Sequence, residues 1–187
     1  MKAVIFGLEG THLNDWERAF FSECQPTGFI LFARNVETPS QMAGLCQELC
    51  SLVDDPAAPI LIDQEGGRVQ RMGPPHWRKA PPAERFAQIY AEDRRGGERA
   101  AYLNAALMGL DLLEAGVTVD CAPVLDLRFP GAHDIIGDRS YGSDPEVVAA
   151  LGRKVCEGLL SAGVLPIVKH IPGHGRALED SHLALPR

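Results

Sequence analysis

The feature that most constrains this chain is a recurring hydrophobic pattern: a short apolar run rich in β-branched or aromatic residues, then a capped amphipathic helix, repeated without a low-complexity linker. KAVIFG (2–7), GFILFA (28–33), APILID (58–63), VTVDCAP (117–123) and VLPIVK (164–169) read as five strands. APILID is apolar on both faces, as strands of a parallel sheet covered by helices tend to be. Asn14 with Glu17 three residues on forms a capping box for a helix over 15–24. Thr38-Pro39 starts another to about Val53, with Met42, Leu45, Leu49 and Leu52 on one face. Helical pattern resumes near Ala83 and runs to Glu114, with a break expected at Gly96-Gly97. Ser143-Asp144-Pro145 starts the last helix, and Gly163 suits the position after its end. Residues 64–83 and 125–142 read as long irregular loops.

Strands alternating with helices demand a parallel sheet with right-handed crossovers, either doubly wound and open or closed into a barrel. The polar, glycine-rich sequences follow the third, fourth and fifth strands at their carboxyl ends. Spreading unusual residues over consecutive strand ends is the barrel habit, whereas an open sheet gathers them at one crevice. The expectation is α/β: an open sheet could close at this length while a barrel usually needs about 250 residues, but the spread of polar strand ends favours the barrel, of which only five strands would be present. Five strands do not close a barrel, so the fifth would carry an unpaired edge.

Composition narrows the function classes. A net charge of −7, with no offsetting basic stripe, argues against nucleic acid as a partner. No apolar stretch approaches the roughly twenty residues needed to cross a bilayer, and the N-terminal run turns polar too soon for a secretory signal, so neither a membrane nor export is expected. The five cysteines, odd in number and scattered, read as buried thiols of a reducing cytoplasm.

Candidate chemistry sits at the strand ends. Asp63 closes a fully apolar strand, where a carboxylate needs hydrogen-bonding partners; turn capping is its plainer role. Arg68 and Arg71 follow a Gly-Gly pair, one of them suited to gripping hydroxyl or carboxylate groups and the other to a surface ion pair. Asp138 and Arg139 in IIGDRSYG form a weak motif alone. Lys169 and His170 end the fifth strand, and alternation turns at least one of them toward the site. Asp180 and His182, two residues apart in an extended segment, can pair so that one imidazole nitrogen is free for proton transfer. A solvated loop histidine is the bland alternative. A metal set of His170, His174, His182 and Asp180 is a further reading, but its spacing matches no recognised metal motif, so neither metal nor cofactor is expected.

FILFARNV, LIDQEGGRVQRM, APVLDLRF with IIGDRSYG, and KHIPGHGRALEDSH resemble, in this order and across the whole chain, the family 3 glycoside hydrolases, in their bacterial β-N-acetylglucosaminidase (β-hexosaminidase) branch. The resemblance implies a (β/α)8 TIM barrel, of which residues 1–187 would supply about the first five β/α units as the N-terminal part of a single catalytic domain, and a cytoplasmic retaining enzyme of peptidoglycan and cell-wall recycling. Its substrate would be terminal β-linked N-acetylglucosamine on muropeptides such as GlcNAc-1,6-anhydroMurNAc. It assigns His182 as acid/base and Asp180 as its partner, and Asp63, Arg71, Arg139, Lys169 and His170 as sugar-binding residues. It places the family's aspartate nucleophile beyond position 187, so this chain alone is expected to be inactive, with a missing C-terminal half of the barrel as its partner. A non-catalytic N-acetylglucosamine-binding module and a metal-dependent hydrolase are the alternatives.

Overall fold

A computed structural model describes residues 2–185. Five parallel strands form one sheet in the order β1 (Lys2–Phe6), β2 (Pro26–Leu31), β3 (Ile60–Ile62), β6 (Val119–Asp120) and β7 (Leu165–Pro166). Spatial order follows chain order, as successive β/α units require, so every strand ends on the same side of the sheet. In three of the four crossovers the first helix begins where the caps predict. Helix α1 (Asp15–Cys24) opens with the Asn14–Glu17 capping box, α2 (Pro39–Ser51) with Thr38 accepting from the Gln41 amide, and α5 (Pro145–Ser161) with Asp144 accepting from Glu146.

The core lies between sheet and helices. Phe29, Leu31, Ile60 and Ile62 are fully buried against Met42 and Leu49 of α2, Leu112 of α4 (Arg94–Glu114) and Leu151 and Leu159 of α5. Each contributes about 2 kcal/mol through lost apolar exposure. At the sheet's two edges apolar side chains stay open to solvent: Ile5 on β1, and Leu165, Ile167 and Val168 on and beyond β7. This is the unpaired fifth-strand edge expected from sequence.

Two local expectations are corrected. The helix break falls at Asp93, which ends α3 (Ala83–Glu92) and caps α4, not at Gly96-Gly97. Gly97 is instead a close-packing position, since a Cβ there would lie 2.5 Å from the Tyr90 backbone. The stretch after β3 is not wholly irregular: β4 (Gln64–Gly66) and β5 (Val69–Gln70) form a small antiparallel hairpin. Gly66 and Gly67 turn it with φ of 90° and 59°, conformations that side chains disfavour. The fully buried Gln64 side chain holds it shut, accepting from the Arg71 and Met72 amides at 3.0 Å and donating to the Met72 carbonyl.

Candidate active site

Because the strands are parallel, Asp63 after β3 and Lys169 after β7 emerge on the same side of the sheet. They meet although 106 residues apart: Lys169 Nζ donates to Asp63 Oδ1 at 2.6 Å and lies equally close to Glu65 Oε1. Arg71, from the far side of the hairpin, contacts the other Asp63 oxygen at 3.3 Å. Arg139, in the 3-10 turn Gly137–Arg139, donates Nε and Nη2 to the two Glu65 oxygens at 2.8 Å each, a planar fork matched to a carboxylate. Its Nη2 also lies 3.4 Å from His170 Nε2. His170 Nδ1 meets Asp126 Oδ2 at 2.6 Å. Asp63, Arg71, Arg139, Lys169 and His170 thus belong to one connected network. Alternation along the strand turns at least one of Lys169 and His170 inward; both reach the network, across a cis peptide.

Charge pairing sets the protonation of this network. Burial alone would raise the Asp63 carboxyl, but the Lys169 hydrogen bond and charge, with Arg71, bring it below the usual carboxylate range. Burial would likewise lower Lys169, yet Glu65 and Asp63 hold its ammonium above the ordinary value. The Asp63 carboxylate and the Lys169 ammonium thus each favour the other's charged form. Arg71 Nε is buried and has no hydrogen-bond partner among the described residues. A polyhydroxylated ligand would satisfy such an arrangement, its hydroxyls donating to the carboxylates and accepting from the guanidinium.

Three contributors were not singled out from sequence. Glu65 is the hub between Lys169 and Arg139. Asp126 is fully buried and receives the His170 ring, the His170 amide at 3.3 Å, and the Gly173 and His174 amides at 2.7 and 2.9 Å. Burial opposes its charge, but these donors outweigh burial and bring the carboxyl down to about 2. Asp120, at the end of β6, accepts the Gln64 amide with one oxygen while the other is buried without a partner among the described residues. Burial pushes its carboxyl well above the usual range. Asp63 and Lys169 could be found from polar residues closing apolar strands. Glu65 and Asp126 carry no such local signal.

Asp180 and His182 form the close pair expected from their spacing: Asp180 Oδ1 lies 2.7 Å from His182 Nδ1 and accepts the His182 amide at 2.9 Å. Those bonds hold the Asp180 carboxyl below its ordinary value. The His182 side chain is 79% exposed, and among the described residues no hydrogen bond joins the pair to the Asp63–Lys169 network. The loop that carries it is tethered at its start by Asp126 and by Gly175, which packs so tightly on the Leu127 backbone that a Cβ would not fit. The His133 amide also donates to the Ala177 carbonyl at 2.9 Å; after that tie Leu178, Leu183 and Leu185 are exposed, and little apolar packing opposes motion there. The three histidines of the metal alternative point to different partners: His170 to Asp126, His174 to Ser181 and His182 to Asp180. Among the described residues no group of three or more His, Cys, Asp or Glu is placed to hold a metal ion. Arg68, the other arginine after the glycine pair, bonds to Asp138 and to the Asp134 and Ile135 carbonyls, a structural tie between two loops.

Residues 3–187 match the glycosyl hydrolase family 3 N-terminal domain. The chain belongs to this family. Its fold is accordingly the TIM-barrel-like α/β fold of that domain, with five β/α units present here. Among family 3 relatives, the chain is 41% identical over 183 residues to a β-hexosaminidase of Thioalkalivibrio sulfidiphilus and 40% identical over 184 residues to one of Alkalilimnicola ehrlichii. Each match covers 98% of this chain and 52% of the relative, so the chain spans about half the length of the relatives it matches. The crystal structure of NagZ from Neisseria gonorrhoeae superimposes with a TM-score of 0.91 at 34% identity, covering 98% of this chain and 53% of that one. A family 3 β-N-acetylglucosaminidase from Paenibacillus superimposes with a TM-score of 0.87 at 37% identity, covering 97% and 34% respectively.

Proposed function

We propose that this chain carries the sugar-binding half of a retaining exo-β-N-acetylglucosaminidase. The observation that carries the reading is the network in which Asp63, Glu65, Lys169, Arg139 and Arg71 converge at the strand ends, beside a flexible loop bearing the His182–Asp180 pair. The NagZ neighbour has been crystallised with N-trifluoroacetyl-D-glucosamine, and the relatives are β-hexosaminidases, which supports an N-acetylglucosaminide as ligand. Asp63 and Arg71 would grip hydroxyls of the terminal sugar, with Lys169 and His170 beside them. Swinging inward, His182 would protonate the leaving oxygen and later activate water, while Asp180 fixes its tautomer. The glycosyl-enzyme step needs a carboxylate nucleophile, which the family reading places beyond position 187. The 187 residues alone would then bind sugar without turning it over. Muropeptide fragments such as GlcNAc-1,6-anhydroMurNAc in the cytoplasm are the proposed substrate and setting, and the rest of the barrel the proposed partner for the open sheet edges. No helix of the described residues is long and apolar enough to cross a membrane.

The test is release of nitrophenol from an aryl N-acetyl-β-glucosaminide by a chain containing these residues and extended to the relatives' full length. Turnover lost on His182→Ala supports the reading. Absence of turnover, or turnover indifferent to that change, contradicts it.

A further inference from the structure

Helix α4 has a face that its own fold does not use. Its inner side packs Ala101, Ala105, Met108 and Leu112 into the core, and its flank meets α5 so closely that a Cβ on Gly109 would lie 2.7 Å from Ala162. On the other flank Arg78 bonds Asn104 and pairs with Asp111. Directly outward lie Leu103, Leu107 and Leu110, exposed by 42%, 50% and 56%. They are spaced by four and three residues, with the exposed Arg99 and Glu114 four residues beyond either end. Isolated surface leucines need no explanation, but a continuous stripe at coiled-coil spacing on one helix does.

From this pattern we infer that α4 is a docking surface for a second copy of this chain, packed antiparallel across a twofold axis at Leu107. The stripe is self-complementary under that operation. Leu107 meets its own copy, Leu103 meets Leu110 of the second molecule, and Arg99 comes beside Glu114 at each end. A symmetric interface requires one surface to satisfy itself, and a charge of opposite sign at each end of one apolar stripe does so only in the antiparallel sense. A parallel pairing would set Arg99 against Arg99 and Glu114 against Glu114. Both flanks of α4 are already occupied within this chain, so the outward face is left for a partner.

Sedimentation velocity of the chain across roughly 1 to 200 μM reads the inference directly, since a single helix pair gives a weak dimer with Kd on the order of 10 μM. Leu107→Glu should weaken association about tenfold or more. Arg99→Glu and Glu114→Arg should each weaken it, and the double reversal should restore it. A monomer throughout, a dimer indifferent to Leu107→Glu, or a double reversal that fails to recover would overturn the inference. A dimer formed through the open sheet edges would show as the second of these outcomes. Circular dichroism verifies folding, and if Leu107→Glu does not fold, the exposed charge pair decides alone.

Discussion

Asp126 Oδ2 and His170 Nδ1 lie 2.6 Å apart, and the same carboxylate holds the amides at the start of the loop that carries His182. One buried side chain therefore sets both a residue beside the proposed sugar position and the root of the proton-transfer arm. Asp126→Ala removes four hydrogen bonds and is expected to destabilise the fold by about 2 kcal/mol, a figure that discounts the partly exposed His170. Hydrogen exchange at residues 170–176 should rise well beyond the global change. Unaltered exchange there would exclude the tether.

Lys169 sits between two partly buried carboxylates, so removing it should cost more than the net worth of the pairs. Lys169→Met removes the cation that Asp63 and Glu65 share and leaves them only Arg71 and Arg139, with an expected loss of about 3 kcal/mol in urea unfolding. Lys169→Met with Asp63→Asn in the same chain should recover part of that loss, because one buried charge is then gone. Additive losses would argue against the coupling.

Acid should loosen the site before it unfolds the core. Asp126 is held down to about 2 and Asp63 below its ordinary value, so both folded pKa values are depressed. Their contribution is complete above the unfolded carboxyl value of about 3.9 and is lost as pH falls through the folded value. Melting temperature should drop between about pH 4 and pH 2, and Asp126→Asn should flatten that slope. An equally steep slope in the variant would assign the acid sensitivity elsewhere.

His182 is exposed and Asp180 half-buried, and neither belongs to the hydrophobic core. His182→Ala should leave the melting temperature unchanged while lowering turnover by a chain extended to the relatives' length, as proposed above, by about 10²–10⁴-fold. A large fall in melting temperature would instead make His182 a structural residue.

The legible and illegible parts of the sequence divide by distance along the chain. Caps at Asn14, Thr38 and Asp144 and apolar strands such as ILI at 60–62 are local signals, and they placed the helices and the sheet order. Asp63 and Lys169 were visible because polar residues interrupt apolar strands. Glu65 and Asp126 act through partners 74 and 44 residues away, in stretches whose sequence has no periodicity, and nothing nearby marks them. The hairpin was hidden because one buried amide, Gln64, holds it, and the break at Asp93 was misread because Gly97 serves packing and not termination.

The central claim is that the Asp63–Lys169 network receives an N-acetylglucosamine unit. Calorimetric titration of N-acetylglucosamine into the chain tests it, with Asp63→Ala and His182→Ala compared under the same conditions. The account predicts saturable binding near the millimolar range, abolished by Asp63→Ala and retained by His182→Ala. No binding by the parent chain, or binding that survives Asp63→Ala, would contradict it.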